Sequence, residues 1–267
     1  LNATITVHVT DSGVTIPDDA LRTCVNTKLS LAASVQPTPA QLATVTGPLT
    51  CTSKGIKDLT GLNLATGLTG ATLTGNSISD LTPLSALTNL TLLDVAQNEV
   101  PSLVPLGSGL TKLTTLRVNQ TSASKKPKLP TLAGVDKLTT LTSLTVNYSA
   151  IRDLTPLQNH PTLKTLNATN NQVVDVSPLA TVALNSLDLE SNRVADLSPL
   201  KGRIFSSKLS VINQVLSSPT ATATQETAAP SVTKQDGTTL VATPPAGVTA
   251  SAGKVTYSAA GSYAWTF

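Results

Sequence analysis

The sequence contains no methionine and only six aromatic residues among 267, namely one tryptophan, three tyrosines and two phenylalanines. Charged residues make up only 12% of the chain, and the net charge is +3. The small number of aromatic residues argues against a cofactor site lined by aromatic side chains and against a surface that stacks on nucleic-acid bases. The small net charge argues against binding to a polyphosphate such as a nucleic acid. No apolar run reaches the ~20 residues of a membrane-spanning helix. We therefore expect no cofactor, no nucleic-acid partner and no membrane span.

Residues suited to metal binding or catalysis are equally scarce. The chain has two cysteines, Cys24 and Cys51, and two histidines, His8 and His160. A structural zinc site needs four clustered ligands, and hydrolysis by a Ser-His-Asp group needs a histidine held between an acid and a serine. Neither arrangement is visible, so we predict no metal site and no enzymatic activity.

Leucine and threonine dominate instead, with 40 and 44 copies, and leucine recurs at a regular spacing. The unit L-x-x-L-x-L-x-x-N-x-I-x-D-L-x-P-L is clearest between Leu68 and Leu84. Further copies begin at Leu90, Leu113, Leu141, Leu163 and Leu184. All but the third copy are close to 22 residues long. This self-similarity predicts a stack of leucine-rich repeats.

Each position of the repeat has a structural interpretation. The L-x-L segment alternates inward and outward side chains, which is typical of a short strand. The asparagine can hydrogen-bond the backbone of the following turn, so that stacked copies form a ladder. The expected members are Asn76, Asn98, Asn171 and Asn192, with hydroxyls from Thr121 and Ser149 in two copies. One repeat cannot cover its own apolar face, so we predict an α/β solenoid with caps at both ends.

Composition divides the chain into four segments. We assign an N-terminal tail to 1–13, a helical cap to 14–48, the repeats to 49–203 and an Ig-like β-sandwich to 204–267. In the cap, Leu21, Cys24 and Val25 share one helical face, and Thr38 is placed to begin a second helix. After 204, alternating segments and turn signals favour the sandwich, although a disordered Thr/Ala-rich stalk is the alternative.

The two cysteines are predicted to meet. Cys51 lies one period of 22 before Leu73, at an inward strand position, and Cys24 lies on the buried face of the first helix. A disulfide between them is the favoured interpretation, with two buried thiols as the alternative. A disulfide indicates an extracellular protein.

These features together resemble the internalin family of Gram-positive bacterial surface proteins. The resemblance rests on Asn76-Ser-Ile-Ser-Asp80-Leu-Thr-Pro83-Leu84, on the matching segment from Asn192 to Leu200, and on Ile16-Pro17-Asp18-Asp19-Ala20-Leu21. It implies a helical cap, 22-residue repeats, an adjoining Ig-like domain, and a secreted or cell-surface protein that binds its ligand on the concave face.

The repeat alignment predicts which residues line that concave face. The candidate ligand-binding residues are Thr72, Asp94, Arg117, Asn119, Thr145, Asn147, Tyr148, Asn167, Asp188 and Glu190. The alternative is a solvated face that serves only as a spacer. Separately, the surplus of the third repeat carries a basic loop with Lys125, Lys126 and Lys128, which fits an anionic polymer or merely a solvated loop.

We therefore expect a monomeric, extracellular binding or adhesion protein without catalytic activity. Its expected partner is a cell-surface protein or a glycan. A structural stalk that displays other domains, or a cell-wall or glycan-binding module, is the alternative function.

Overall fold

A computed structural model describes residues 16–107, 109–121, 129–201, 203–211 and 214, together with the backbone of five short strands between 227 and 257. The predicted tail (1–13) and the basic loop (122–128) lie outside the described residues. No helix of the described part is long and apolar enough to cross a membrane.

The first helix, α1 (Asp19–Leu29), is anchored at its start by Asp18. One carboxylate oxygen of Asp18 accepts the backbone N–H of Leu21 at 2.9 Å, which caps the helix. The other accepts the N–H groups of Lys57 (2.7 Å) and Asp58 (3.2 Å) in the first repeat. A single side chain thus begins α1 and ties it to the repeats.

The second helix, α2 (Pro39–Ala43), begins at Thr38 with a capping box. The Thr38 hydroxyl accepts the Gln41 N–H, and the Gln41 side chain accepts the Thr38 N–H. Proline at the first helical position supports this start, because its fixed φ suits a helix and no N–H is lost.

The repeats form one parallel sheet of eight strands in chain order. The strands are β1 (Thr46–Thr50), β2 (Gly67–Thr72), β3 (Leu92–Asp94), β4 (Thr115–Arg117), β5 (Ser143–Thr145), β6 (Thr165–Asn167), β7 (Ser186–Asp188) and β8 (Lys208–Ser210). Short 3-10 helices such as Thr155–Leu157 lie on the other side of the repeats, and proline opens most of them. The parallel sheet with its short turns is the predicted leucine-rich-repeat solenoid.

The core is a continuous stack of the repeat leucines and their aliphatic equivalents. In the fourth repeat, Leu141, Leu144, Val146, Ile151 and Leu157 are all fully buried. The same positions recur from repeat to repeat, so each layer covers the apolar face of the next. Full burial of such a side chain contributes ~1.5–3 kcal/mol, and stacking is therefore what stabilises the fold.

The asparagine ladder joins the layers as predicted. The Asn98 amide donates to the carbonyls of Leu73 (2.9 Å) and Val95 (3.0 Å), and its oxygen accepts the Ile78 N–H at 3.0 Å. Asn76, Asn171 and Asn192 make the equivalent bonds. Buried backbone groups of two repeats are thereby paired at once.

The ladder is interrupted in the third and fourth repeats, where the prediction for Ser149 is wrong. The Ser149 oxygen is buried and has no hydrogen-bond partner in the described part of the chain. Its side chain is too short to reach the carbonyl of the neighbouring layer. In the third repeat, the buried amide of Gln120, next to Thr121, donates to the carbonyl of Asn98.

The solenoid continues beyond the boundary predicted at 203. β8 pairs in parallel with β7, and its Leu209 stands opposite Leu187. Gln214 then acts as a further ladder member, since its amide donates to Leu189 (2.9 Å) and its oxygen accepts the Val194 N–H (2.8 Å). The first residues assigned to the sandwich (204–267) therefore belong to the repeats. Glutamine in place of asparagine, and the scarcity of leucine, hide this last copy in the sequence.

Beyond the solenoid, five short strands form two antiparallel sheets among the described residues. They are β9 (Thr227–Ala228), β10 (Ser231–Thr233), β11 (Thr239–Val241), β12 (Val248–Ser251) and β13 (Lys254–Tyr257). β10 pairs with β11, while β13 pairs with β12 and β9. The Ig-like topology stays a prediction.

Candidate functional site

The outward side chains of the parallel sheet form a surface that we call the concave face. It consists of the exposed residues of β1–β8 and of the residues that follow each strand. Register brings Thr72, Asp94, Arg117, Thr145, Asn167 and Asp188 to neighbouring positions in one row. Asn119, Asn147 and Glu190 follow two residues later and form a second row. The sheet thus collects nine of the ten predicted residues on one surface.

An ion pair lies toward the start of this face. The Arg117 guanidinium is 3.8 Å from the Asp94 carboxylate, and half of the arginine side chain (49%) is exposed. Asp94 is held in place, because it also accepts the Thr74 hydroxyl at 2.9 Å and the Ala96 N–H at 3.0 Å. The long contact leaves most guanidinium donors of Arg117 open to a ligand.

The centre of the face is uncharged and carries amides and hydroxyls. The Asn147 and Asn167 side-chain oxygens both accept the Thr169 N–H, at 3.2 and 3.4 Å. The side chain of Asn119, which follows β4 and lies on the repeat next to Asn147, makes no hydrogen bond within the described residues. Thr145 lies between Arg117 and Asn167 in the register. This region therefore keeps hydrogen-bonding capacity for a polar ligand.

A second ion pair lies at the β7–β8 end of the concave face. Asp188, predicted to face solvent, is buried with only 6% exposed, because the Lys208 ammonium lies directly on its carboxylate. The hydrogen bond to Asp188 raises the pKa of Lys208. Sequence reasoning missed Lys208 because it was assigned to the sandwich. The spacing of 22 from Leu187 to Leu209 is the signal that identifies its strand.

Tyr148 occupies a distinctive backbone position just after β5. Its φ is +53°, in the left-handed region that side chains rarely adopt. The same turn position in other repeats is held by Ser53, Gly75, Gln97, Asn170 and Ser191, all with φ between 54° and 75°. Tyr148 is half-buried and directly follows Asn147 of the concave face in the chain.

The concave face has no exposed apolar centre. The exposed large hydrophobic residues of the described chain are Val35, Val104, Val174 and Ile204, and none of them belongs to this face. Its charges form the pairs Asp94–Arg117 and Asp188–Lys208, with Glu190 beside the second. The surface is polar, and its fixed charges largely cancel.

The predicted disulfide is confirmed. Cys24 on α1 and Cys51 just after β1 are bonded, with their Cα atoms 5.9 Å apart, within the range that a disulfide requires. A groove of about 620 Å³ lies beside the bond, between α1 and β1, and Lys28 and Lys54 stand at its rim. The helix and the first strand are therefore joined covalently at this end of the solenoid.

Residues of the types used in metal binding do not cluster in the described part of the chain. The described residues contain no group of three His, Cys, Asp or Glu side chains that could hold a metal ion. His160 is buried on the side opposite the sheet, where its Nδ1 accepts the Leu163 N–H at 3.2 Å. Burial lowers the pKa of His160, and the carbonyl groups of Leu138 and Val135 offset this only in part. His160 therefore lies away from the concave face.

Comparisons with known proteins agree with this architecture. A family model for leucine-rich repeats, in two copies, matches residues 161–202. Internalin C2 from Listeria monocytogenes is 29% identical, with a TM-score of 0.53, and the match covers 71% of this chain and 92% of that one.

Two further solved structures from Listeria monocytogenes are similar in part. The internalin InlF is 23% identical over 75% of this chain and 83% of that one, with a TM-score of 0.38. The functional domain of InlJ, which includes a cysteine ladder, is 28% identical over 70% of this chain and 49% of that one, also with a TM-score of 0.38. No curated protein matches the sequence significantly.

Proposed function

We propose that this chain, whose repeats are similar to those of internalin C2, is a non-enzymatic binding or adhesion protein of the bacterial cell surface or the secreted fraction. It engages a cell-surface protein or glycan through the concave face, and it acts as a monomer. Neither a nucleic acid nor a cofactor takes part.

One observation carries this proposal: the described residues form a polar sheet face with unused hydrogen-bonding groups at its centre. Stacked repeats create an extended surface on which many side chains are presented at a strand spacing of ~4.8 Å. Asn119 and Arg117 sit there with donors that no described residue saturates. A sheet face that only stabilised the fold would not require these unpaired donor groups.

The proposed location outside the cell rests on the disulfide and on the likeness to internalin C2. Disulfides persist in oxidising compartments and are rare in the bacterial cytoplasm. We further propose that α1 and α2 act as the helical cap (14–48), since α1 is fastened to the first repeat by both Cys24–Cys51 and Asp18. The strands that follow the repeats are proposed to form the Ig-like sandwich.

Cell binding by two matched variants tests this function. Thr145→Arg places a long side chain in the middle of the concave face, whereas Gln158→Arg places the same side chain on the exposed 3-10 side. Fluorescently labelled protein is incubated with a panel of bacterial and animal cells, and bound protein is quantified by flow cytometry. We expect the native chain and Gln158→Arg to bind alike and Thr145→Arg to lose binding.

Two results contradict the proposal. Equal binding by both arginine variants would place the ligand away from the concave face. Failure of the native chain to bind any cell in the panel would favour a structural stalk instead.

A further inference from the structure

We propose that the concave face carries a carbohydrate-binding site centred on Tyr148, and that its ligand is an uncharged glycan. The site, here called the Tyr148 cluster, consists of Asp94, Arg117, Asn119, Asn147 and Tyr148. This inference rests on the proposed function and deepens it, because it selects one class of ligand and one part of the face.

The first argument is the backbone of Tyr148. At this turn position the other repeats with a positive φ use serine, glycine, glutamine or asparagine, and none of them places an aromatic ring there. A bulky side chain at positive φ is an outlier, whereas glycine and asparagine adopt this conformation most readily. The conformation is imposed by the stack, since the Tyr148 N–H donates to the Thr169 carbonyl (3.0 Å) just as the Asn170 N–H donates to Glu190 (2.8 Å). A strained tyrosine held by its surroundings is the kind of feature that marks a binding site.

The second argument is the weakened framework beside it. Ser149 replaces the ladder asparagine and leaves a buried hydroxyl unpaired in the described structure. Asn171 in the next repeat, and Asn98 two repeats earlier, make full sets of ladder bonds. Two adjacent positions, 148 and 149, therefore both depart from what best stabilises the solenoid. Ligand binding is the function that accounts for the aromatic ring at position 148.

The third argument is the chemistry of the neighbouring part of the concave face. Asn119 and Asn147 lie on adjacent repeats and offer amide donors and acceptors, while Asp94 and Arg117 on the preceding strands add a carboxylate and a guanidinium whose charges cancel. Directional polar groups with no net charge complement a ligand rich in hydroxyls and free of charge. The tyrosine ring supplies a flat apolar surface for the C–H face of a sugar.

A protein ligand fits this cluster less well. Protein interfaces concentrate their affinity in a dehydrated centre of several aromatic or arginine anchors. The cluster has only one tyrosine and one arginine, and the described concave face has no exposed large hydrophobic residue. An uncharged glycan requires only the single ring and the polar groups that are present.

The test uses defined probes and a variant that separates binding from folding. The probes are chitohexaose, cellohexaose, maltoheptaose and yeast mannan, with dextran sulfate as the anionic comparison, and affinity is measured by isothermal titration calorimetry. Tyr148→Asn installs the residue that Asn170 provides at the same turn position, so it keeps the backbone conformation. Tyr148→Phe retains the ring, and Ser191→Asn makes the matching change in a distant repeat.

We expect the native chain to bind at least one uncharged probe. Loss of the stacking ring in Tyr148→Asn should weaken that binding at least about tenfold, while the melting temperature stays the same or rises. Tyr148→Phe and Ser191→Asn should bind nearly as the native chain does. Binding that falls while stability rises is a result that a purely structural tyrosine would not give.

Three results overturn the inference, and each leaves the proposed function to its own test. Binding of none of the uncharged probes excludes the assigned ligand class. Binding of dextran sulfate alone points to an anionic polymer. The third result is that Tyr148→Asn still binds an uncharged probe whereas Thr145→Arg does not. The ligand would then bind on the concave face, but outside the Tyr148 cluster.

Discussion

Opening the Cys24–Cys51 disulfide should destabilise the start of the solenoid selectively. The bond closes a loop with a sequence separation of 27 residues, for which the chain-entropy model gives about 3.5 kcal/mol of stabilisation at 25 °C. That is a large fraction of the ~5–15 kcal/mol that a folded domain typically has. The effect should be local, because repeat proteins are stabilised by contacts between neighbouring repeats and their ends can unfold separately.

Chemical denaturation and limited proteolysis measure this effect. We expect the reduced protein to unfold at lower urea concentration than the oxidised protein, and trypsin to cut first in α1, at Arg22 or Lys28. Cleavage at Lys164, beside β6 in the middle of the sheet, should come much later in both forms. The Cys24→Ala/Cys51→Ala variant is the control, because the reductant should change nothing in it.

Two outcomes would refute this reasoning. One is the same denaturation midpoint and the same order of cleavage in the reduced and oxidised proteins. The other is the labelling of two reactive thiols per chain after the oxidised protein is denatured without reductant. The second outcome would also remove the main physical support for an extracellular location.

Further predictions concern stability and its dependence on pH. Asn98→Ala should lower the free energy of unfolding by about 2–4 kcal/mol, because it leaves buried backbone groups unpaired, whereas the exposed Asn185→Ala should have little effect in the same urea titration. Asp18→Ala should cost about 1–2 kcal/mol by removing a helix cap. Burial acts to raise the pKa of Asp18, but the backbone N–H groups that it accepts, first that of Lys57, together lower it. The carboxylate therefore stabilises the fold fully above about pH 3.9, and this stabilisation is lost as the pH falls through the lower folded-state pKa. The Asp18→Ala variant should not show this pH-dependent loss of stability. Burial lowers the pKa of His160, so the unfolded chain binds its proton more tightly, and stability should fall as the pH drops below about 6.5. His160→Gln should flatten the melting temperature between pH 7 and 5; an unchanged slope would contradict that assignment.

The repeat period accounts for what the sequence predicts well. Because equivalent positions recur every 22 residues or so, counting from Leu73 places Cys51 on the first strand, and the helical spacing of Leu21 and Val25 places Cys24 nearby. The repeat count and the helical spacing together suffice to predict the disulfide. The rows of the concave face follow from the same count, since neighbouring strands pair without a shift from β2 onward.

What the period does not predict depends on side-chain length and backbone conformation. Asp188 is buried because Lys208 reaches it from a strand whose repeat motif has degenerated. Ser149 stays unpaired because a hydroxyl is shorter than an amide. The positive φ of Tyr148 is invisible in the motif itself. A partial signal exists, however, because two of the aligned positions hold Gly75 and Asn170, which are residue types that readily adopt a positive φ.

Photo-crosslinking on intact cells tests the central claim, that ligand binds on the concave face, most directly. The photoreactive amino acid p-benzoylphenylalanine replaces Thr145 on the concave face in one protein and Gln158 on the opposite side in another. After irradiation, covalent adducts are detected by a shift in mobility on denaturing gels. The account predicts adducts from position 145 and none above background from position 158. Adducts from position 158 alone, or equally from both positions, would contradict it.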